Sequence, residues 1–152
     1  MSDDIRVILI KIADRLHNMR TLGSMLPNKQ YKIAGETLYI YAPLANRLGL
    51  NKIKTELEDL SFKYEHPEEY AQIESKLQET QAEREEVFRE FTAPIRAQLD
   101  KMGISYQLIA RVKSPYSIWN KMQDQAISHL KKYMDILAVR IIFCPKNPEE
   151  RT

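Results

Sequence analysis

Three oxygen-bearing side chains recur at helical spacing in the segment IKIADRLHNMRTL: Asp14, Asn18 and Thr21. Residues three and four apart lie above one another on a helix, so these groups share one face. A carboxylate is a hard ligand that suits Mn²⁺ or Mg²⁺, and an amide and a hydroxyl suit sugar or phosphate oxygens. The alternative is an internal ion pair, because an unpaired buried carboxylate is costly and Arg47 is a nearby candidate. The spacing leaves both interpretations open.

A second group of polar residues lies in the segment ARVKSPYSIWNKM. Arg111 and Lys113 would point to the same face of a strand, where two cations can hold a polyphosphate. Ser117 and Lys121 are four residues apart on the helix that follows, and the N–H groups at its start favour anions. A solvated basic edge, with Ser114 as the helix cap, explains the same residues equally well.

Charged and aromatic residues near these segments allow further interpretations. Asp135 begins the next predicted strand and is either a Mg²⁺ ligand near a phosphate site or an ordinary turn residue. Arg140 lies within that strand and needs a partner, which is either a ligand phosphate or a structural carboxylate. Tyr116 and Trp119 are interpreted as packing residues rather than as platforms for stacked bases.

Helices must position most of these groups. Apolar periodicity predicts helices at 3–22, 30–48 and 52–64. The first is apolar on two faces, which predicts that it is buried among other helices. Pro43 should kink the second helix or start a new turn, and Asn51 should cap the third.

A long polar helix is predicted from Pro67 to about residue 102, with a bend at Pro94 and an end at Gly103. After Gly103 the apolar period changes, which predicts a strand, a helix and a central strand. These elements lie at residues 104–113, 114–123 and 135–144. Their order predicts the opening of an α/β domain.

Composition excludes several classes of protein. With 152 residues and one cysteine, Cys144, the chain has neither a disulfide framework nor a cysteine-based zinc site. No apolar run is long enough to span a membrane, and the start MSDDIR does not read as a signal peptide, so a cytoplasmic location is expected. A net charge of +2 and few clustered cations argue against direct DNA binding.

The segments DDIRVILIKIADRLHNMRTL, ETLYIYAPLANRLGL and KTELEDLSFKY resemble the hydrolase domain of the long RelA/SpoT family. The members of this family make and degrade the alarmone (p)ppGpp. ARVKSPYSIWNKM followed by DILAVRIIF resembles the beginning of the same family's synthetase domain. The resemblance runs from residue 3 to about residue 144, with both groups of motifs in the family's order.

This resemblance implies a mainly α fold. Residues 1–66 would be the C-terminal part of an HD-type hydrolase domain, and 67–103 would be linking helices between the two sites. Residues 104–152 would be the opening β-α-β of an α/β, nucleotidyltransferase-like synthetase domain.

The resemblance also implies two activities and their metals. The hydrolase removes the 3′-pyrophosphate of ppGpp or pppGpp with Mn²⁺; Asp14 matches a metal ligand, and Asn18 and Thr21 match residues that contact the nucleotide. The synthetase transfers pyrophosphate from ATP to the 3′-hydroxyl of GDP or GTP with Mg²⁺, and Asp135 matches its first metal-binding aspartate. The residues that match its ATP-phosphate-binding segment are Arg111, Lys113, Ser117 and Lys121.

The departures from the family's pattern are equally informative. The family's first histidine and its His-Asp pair are absent, as are the later catalytic glutamate and the guanine-binding strand, and Ala110 stands where glycine is common. We therefore expect a segment with no complete catalytic set, inactive by itself, with unoccupied metal sites. Ribosome contacts would require other regions, and exposed apolar surfaces would favour self-association. The alternative is a short, non-catalytic helical module that regulates or binds a partner.

Overall fold

The computed structural model describes residues 2–124 and 137–144, and this part of the chain is mainly helical with one small sheet. The mainly α fold class, with a strand–helix–strand segment after the helices, is confirmed. The helices are α1 (Ser2–Arg20), α2 (Pro27–Glu36), α3 (Ala42–Arg47), α4 (Asn51–Glu65), α5 (Pro67–Glu79), α6 (Gln81–Lys101) and α7 (Pro115–Asp124). The strands are β1 (Ser105–Val112) and β2 (Leu137–Cys144).

The described residues form two compact units. The helical unit comprises residues 2–74 and 114–119, and the sheet unit comprises 75–113, 120–124 and 137–144. The chain leaves the helical unit within α5 and returns to it at Ser114, so that the first turn of α7 belongs to the helical unit. In the described ranges, no helix is both long enough and apolar enough to cross a membrane.

The core of the helical unit is built from the apolar stripes of α1 to α4. Ile12 and Met19 of α1 are almost completely buried, and Leu57 of α4 is fully buried. Alanines at the helix contacts allow the backbones to approach closely, and the fully buried ones lie in α2 and α3: Ala34 and Ala45.

The predicted burial of α1 on two faces is wrong for the described structure. Ile10 is 68% exposed and Val7 is 50% exposed, whereas Ile12 is 1% exposed. Helix α4 and the turn at Thr37–Tyr41 pack against α1, and among the described residues its second apolar stripe stays largely exposed. This stripe is an exposed apolar surface of the kind that marks an interaction site.

The chain stays helical through Pro43, and the disturbance of the helix there is a π-helical turn immediately before it. Residues Thr37–Tyr41 form a π-helix turn, and α3 begins immediately afterwards with Pro43 in its first turn. Proline has no N–H and its ring crowds the preceding turn, so the wider π turn accommodates it. Gly49 ends this segment with a φ of 72°, a left-handed conformation that glycine adopts without steric cost.

Two predicted details of the later helices are wrong. Asn51 is the first residue of α4 and not its cap, and Leu50 occupies the capping position without a side-chain hydrogen bond. The predicted long helix is interrupted at Thr80, which separates α5 from α6. Pro94 lies inside α6, which continues past it to Lys101.

The sheet unit joins α6 to an antiparallel β-ribbon. Gly103 ends α6 with a φ of 66°, and the N–H of Ile104 donates to the carbonyl of Leu99, as in a helix C-terminal cap. β1 pairs with β2 from Ser105↔Cys144 to Val112↔Leu137. β2 was predicted to be central, but among the described residues it pairs only with β1.

Candidate functional site

The polar line of α1 forms as the spacing predicts. Asn18 Nδ2 donates to Asp14 Oδ2 at 3.4 Å, so the amide and the carboxylate lie side by side. The hydroxyl of Thr21 donates to the carbonyl of His17 at 3.1 Å, which leaves its oxygen lone pairs as acceptors. Asp14 and Thr21 are exposed, and Asn18 is partly buried.

The ion pairs of the described residues do not include Asp14 with Arg47. The neighbouring Arg15 pairs instead with Glu36 at 3.2 Å, and Arg20 pairs with Glu56 at 2.6 Å. Asp14 is therefore an exposed carboxylate, and the arginines that flank it along α1 are paired with Glu36 and Glu56. Its hard oxygen atoms fit a divalent cation as one ligand. Within the described ranges, no group of three His, Cys, Asp or Glu side chains could hold a metal ion.

The basic residues of the second motif lie on consecutive elements. Arg111 is exposed near the end of β1, and Lys113 follows the strand. Ser117 and Lys121 are exposed four residues apart on α7. Asp135, the predicted magnesium ligand, lies outside the described residues. Arg140 is exposed in β2, so the premise that it needs a buried partner is not supported.

The N-terminus of α7 is already capped by protein oxygens, contrary to the prediction that its N–H groups are open to an anion. The N–H of Tyr116 donates to Asp59 Oδ1 at 3.1 Å, across 57 residues of sequence. The N–H of Ser117 donates to Ser114 Oγ at 3.3 Å, which confirms Ser114 as a helix cap. No sequence pattern indicated Asp59, because its partner is distant along the chain.

An aromatic cluster holds the first turn of α7 against α4. The Trp119 ring contacts two rings, with centroid distances of 4.7 Å to His66 and 5.0 Å to Phe62. Tyr116 and Tyr70 contact the same phenylalanine at 6.1 Å and 5.8 Å. Phe62 is fully buried at the centre. The interpretation of Tyr116 and Trp119 as packing residues is confirmed.

Asp59 lies in an environment that favours its neutral form. Burial raises the pKa of Asp59 to about 6, and the charge of Glu58 acts in the same direction. The hydrogen bonds from the Tyr116 N–H and the Ser114 hydroxyl act against that rise, because they stabilise the carboxylate. Burial also raises the pKa of Glu58 itself, against the opposing charge of Lys54.

The sheet unit contains a second cationic feature that the sequence did not indicate. A cleft of about 490 Å³ lies between α6 and the β-ribbon. Ala110 and Val112 line it, so Arg111 between them points to the opposite face of β1. Its lining residues are Gln81, Arg84, Glu85, Phe88, Arg89, Arg96, Ala110, Val112 and Leu137.

Arg84 is the most buried residue of this cleft, at 6% exposure. Its Nη2 donates to the carbonyl of Leu77 near the end of α5, where helix carbonyls lack partners. Its Nε and Nη1 are buried and have no hydrogen-bond partner among the described residues. A buried guanidinium with two unsatisfied nitrogens destabilises the unit unless another group supplies acceptors.

Two family models match the chain, one at each end of the described structure. Residues 1–51 match the HD domain, and this range contains Asp14, Asn18 and Thr21. Residues 110–151 match the region found in RelA / SpoT proteins, and this range contains the second motif from Arg111 to Asp135. The two matches therefore follow one another along the chain, the HD domain first and the RelA / SpoT region second.

Curated relatives match nearly the whole chain. It is 50% identical over 142 residues to a GTP pyrophosphokinase of Myxococcus xanthus, covering 93% of this chain and 19% of the relative. It is 46% identical to the bifunctional (p)ppGpp synthase/hydrolase SpoT of Escherichia coli K12, covering 93% of this chain and 20% of that relative. A guanosine-3′,5′-bis(diphosphate) 3′-pyrophosphohydrolase of Borreliella burgdorferi is 44% identical, with 98% and 22% coverage.

The two matched regions and the near-complete matches to curated relatives support a fragment of a RelA/SpoT-type protein. It spans about a fifth of the length of the curated relatives it matches. Residues 52–109, which include α4 to α6 and most of β1, lie between the two family-model matches.

Proposed function

We propose that this chain is the section of a cytoplasmic, bifunctional alarmone enzyme in which the hydrolase ends and the synthetase begins. The observation that supports this most directly is the order of the two matched regions, HD domain first and RelA/SpoT region second, in one continuous chain. The relatives' names include both a pyrophosphokinase and a 3′-pyrophosphohydrolase of guanosine bis(diphosphate). The substrates of the whole enzyme would be ppGpp or pppGpp for hydrolysis, and ATP with GDP or GTP for synthesis.

In the proposed hydrolase, α1 supplies part of the site. Asp14 would hold Mn²⁺ as one hard oxygen ligand, and the ion when bound would polarise the oxygens of the 3′-pyrophosphate. The Asn18 amide, which lies beside Asp14, would orient the nucleotide by hydrogen bonds. The Thr21 hydroxyl oxygen would accept a hydrogen bond from the nucleotide, because the hydroxyl proton is donated to the carbonyl of His17. The remaining metal ligands would come from outside this chain.

In the proposed synthetase, the second motif binds the phosphates of ATP. Arg111 and Lys113 would neutralise the phosphate charge, and Ser117 and Lys121 would contact it from the exposed face of α7. Asp135 would hold Mg²⁺, which when bound neutralises charge on the transferred pyrophosphate. The acceptor site for the 3′-hydroxyl of GDP or GTP would lie outside this chain. Ribosome contacts would likewise need other regions.

The proposal is tested in the full-length enzyme that contains this segment. Asp14→Ala should lower Mn²⁺-dependent ppGpp hydrolysis by about 100-fold or more, because even groups that only orient metal ligands are worth about 10–100-fold. Pyrophosphate transfer from ATP to GDP should remain. The matched control is Asp4→Ala, which removes another exposed carboxylate of α1. Equal loss in the two variants, or no hydrolysis by the unchanged enzyme, would contradict the proposal.

A second experiment addresses the synthetase half. Replacing Arg111 and Lys113 by alanine should abolish pyrophosphate transfer and leave hydrolysis unchanged, whereas Lys101→Ala on α6 should leave both unchanged. The isolated 152-residue chain should have neither activity. Turnover by the isolated chain at the full-length rate would show that the catalytic sets are complete within it.

One observation favours a second candidate function, a non-catalytic helical interaction module that self-associates or binds a partner. The exposed apolar stripe of α1, which includes Ile10 and Val7, is a surface that a partner or a second copy could cover. The sequence that flanks this segment in its reading frame distinguishes the two candidates. An upstream His-Asp motif would support the enzyme, and a translational start and stop at residues 1 and 152 would support the module.

A further inference from the structure

We infer that Asp59 of α4 is a positioning residue for α7, and that it acts with the ring contacts of Tyr116 and Trp119. Its role is to fix the face of α7 on which Ser117 and Lys121 are exposed. This inference rests on the proposed function, because that face is the one proposed to bind ATP phosphates.

We call the contacts of Asp59 and Phe62 with the first residues of α7 the dock. Its polar part is the carboxylate of Asp59, which lies on α4 and caps α7. Pro115 has no N–H, so Tyr116 carries the first backbone donor of α7, and Asp59 Oδ1 accepts it at 3.1 Å. A negative side chain at a helix N-terminus satisfies an otherwise unpaired donor and interacts favourably with the helix dipole. The contact therefore fixes where α7 begins relative to α4, within one compact unit.

The apolar part of the dock fixes the rotation of α7 about its own axis. Trp119 and Tyr116 contact Phe62 at ring-centroid distances of 5.0 Å and 6.1 Å, and Ile118 is only 6% exposed. With this side of the helix packed, Ser117 is left exposed. A single hydrogen bond would fix only a position, but a hydrogen bond combined with ring contacts fixes an orientation as well.

This dock gives the proposed hydrolase and synthetase a direct physical connection. The dock residues of α4 follow the HD-domain match, whereas α7 lies inside the RelA/SpoT match. The continuous chain between these two regions runs through the linking helices at 67–103. The contact between Asp59 and Tyr116 provides a route that does not pass through α5 or α6.

The first experiment measures docking in the 152-residue chain itself. Asp59→Ala removes the acceptor, whereas Asp59→Asn keeps a carbonyl oxygen in the same place. Hydrogen exchange at the Ile118 amide of α7 should become about fivefold faster in Asp59→Ala, as expected for the loss of one helix cap. It should stay near the original rate in Asp59→Asn and in the control Glu90→Ala, which removes an exposed carboxylate of α6.

Two internal reporters separate undocking from general destabilisation. The His66 amide donates to the Phe62 carbonyl at the end of α4, and its exchange should be unchanged in all variants. Trp119 is the only tryptophan, so its emission should shift to longer wavelength only in Asp59→Ala. Equal acceleration at Ile118 and His66, or no change at either, would overturn the inference.

The second experiment measures the consequence for nucleotide binding in the full-length enzyme. Asp59→Ala should raise the KM for ATP about fivefold without changing the rate of ppGpp hydrolysis, and Asp59→Asn should restore the original KM. An unchanged KM in an enzyme whose α7 has undocked would limit Asp59 to a structural role and overturn the inference. Absence of synthesis in the unchanged enzyme would instead refute the proposed function, while the docking result would remain valid.

Discussion

The two units differ in what they bury. Every apolar side chain that is buried among the described residues lies in the helical unit. In the described part of the sheet unit, the buried side chains are Arg84 and Thr92, whereas Phe91 is 55% exposed and Phe143 is 54% exposed. The helical unit therefore has its own hydrophobic core. The described helix and strands of the sheet unit leave large apolar side chains exposed.

This difference has a simple physical origin. Helices α1 to α4 each present an apolar stripe, and four such stripes can close on one another. An antiparallel pair of strands has two faces, and a two-stranded sheet is marginal unless a helix or another sheet covers one of them. Helix α6 packs against β1, but Ile141 and Ile142 of β2 remain 37% and 38% exposed. We expect the helical unit to carry most of the stability of the isolated chain.

The largest expected effect compares one aromatic residue in each unit. Phe62→Ala removes the fully buried centre of the aromatic cluster and should lower the free energy of unfolding by about 3–5 kcal/mol. Phe91→Ala removes an exposed ring of α6 and should change it by less than about 0.5 kcal/mol. Urea unfolding followed by circular dichroism measures both. Comparable losses would show that the sheet unit has a core of its own.

A second comparison uses the two glycines with positive φ. Gly49 ends the α3 segment at 72° and Gly103 ends α6 at 66°, and a Cβ at either site would meet no atom within 4 Å. Alanine should therefore cost about 1–2 kcal/mol of backbone strain at each site. Gly49→Ala should lower the stability of the helical unit. Gly103→Ala should accelerate hydrogen exchange at the end of α6 and in β1 and β2. Acceleration in α4 as well would show that the units unfold together.

A smaller effect is expected on the stability of the helical unit as the pH changes, because Asp59 titrates there. The pKa of Asp59 is raised from 3.8 to about 6, so the folded chain holds this proton more tightly than the unfolded chain does. The resulting stabilisation is complete below about pH 4 and is lost as the pH rises through about 6. Because the carboxylate is only partly buried, the change should not exceed about 1 kcal/mol.

The variant Asp59→Asn isolates this contribution, because it keeps the acceptor and cannot titrate. The titratable groups near Asp59 are Glu58 on α4 and the Tyr70 hydroxyl on α5; burial is the main cause that raises the pKa of Tyr70. Urea midpoints measured at pH 4.5 and pH 7.5 should show the unmodified chain losing stability relative to Asp59→Asn. A constant difference between the two proteins would contradict the assigned pKa shift.

The smallest expected change in stability is the one caused by replacing Arg84. Arg84→Met removes a buried guanidinium with two unsatisfied nitrogens but also loses the bond to the Leu77 carbonyl. These changes oppose each other, so the stability of the sheet unit should change by less than about 1 kcal/mol. Arg89→Met, at an exposed residue of the same cleft, is the control. A loss of several kcal/mol only in Arg84→Met would mean that groups outside the described residues pair with this guanidinium.

Local features of the fold were predictable from the sequence. The strand–helix–strand segment after Gly103, a disturbance of the helix at Pro43 and the Ser114 cap were predicted correctly. Each depends on the dihedral preferences or hydrogen bonds of residues a few positions apart. The break at Thr80 was missed because the apolar stripe continues across it, and a stripe reports which residues face inward, not whether the helix is continuous.

The candidate site was predictable to the same local extent. Asp14 and Asn18 are together because they are four residues apart on one helix, and Ser117 and Lys121 are exposed on another for the same reason. Their roles toward Mn²⁺, Mg²⁺ and nucleotides remain predictions from the family resemblance. The N–H groups at the start of α7 were expected to be open to an anion, but Asp59 and Ser114 occupy them.

The sequence by itself determined where helices and strands form and which chemical groups each element carries, because backbone preferences and side-chain periodicity act over a few residues. Only the tertiary structure decided that Asp59 would cap α7 from 57 residues away, and that Arg84 would be buried in a cleft while the apolar face of α1 remained exposed. Contacts of this kind depend on which surfaces pack together. A carboxylate has the same local signature whether it faces water, a metal ion or a distant helix.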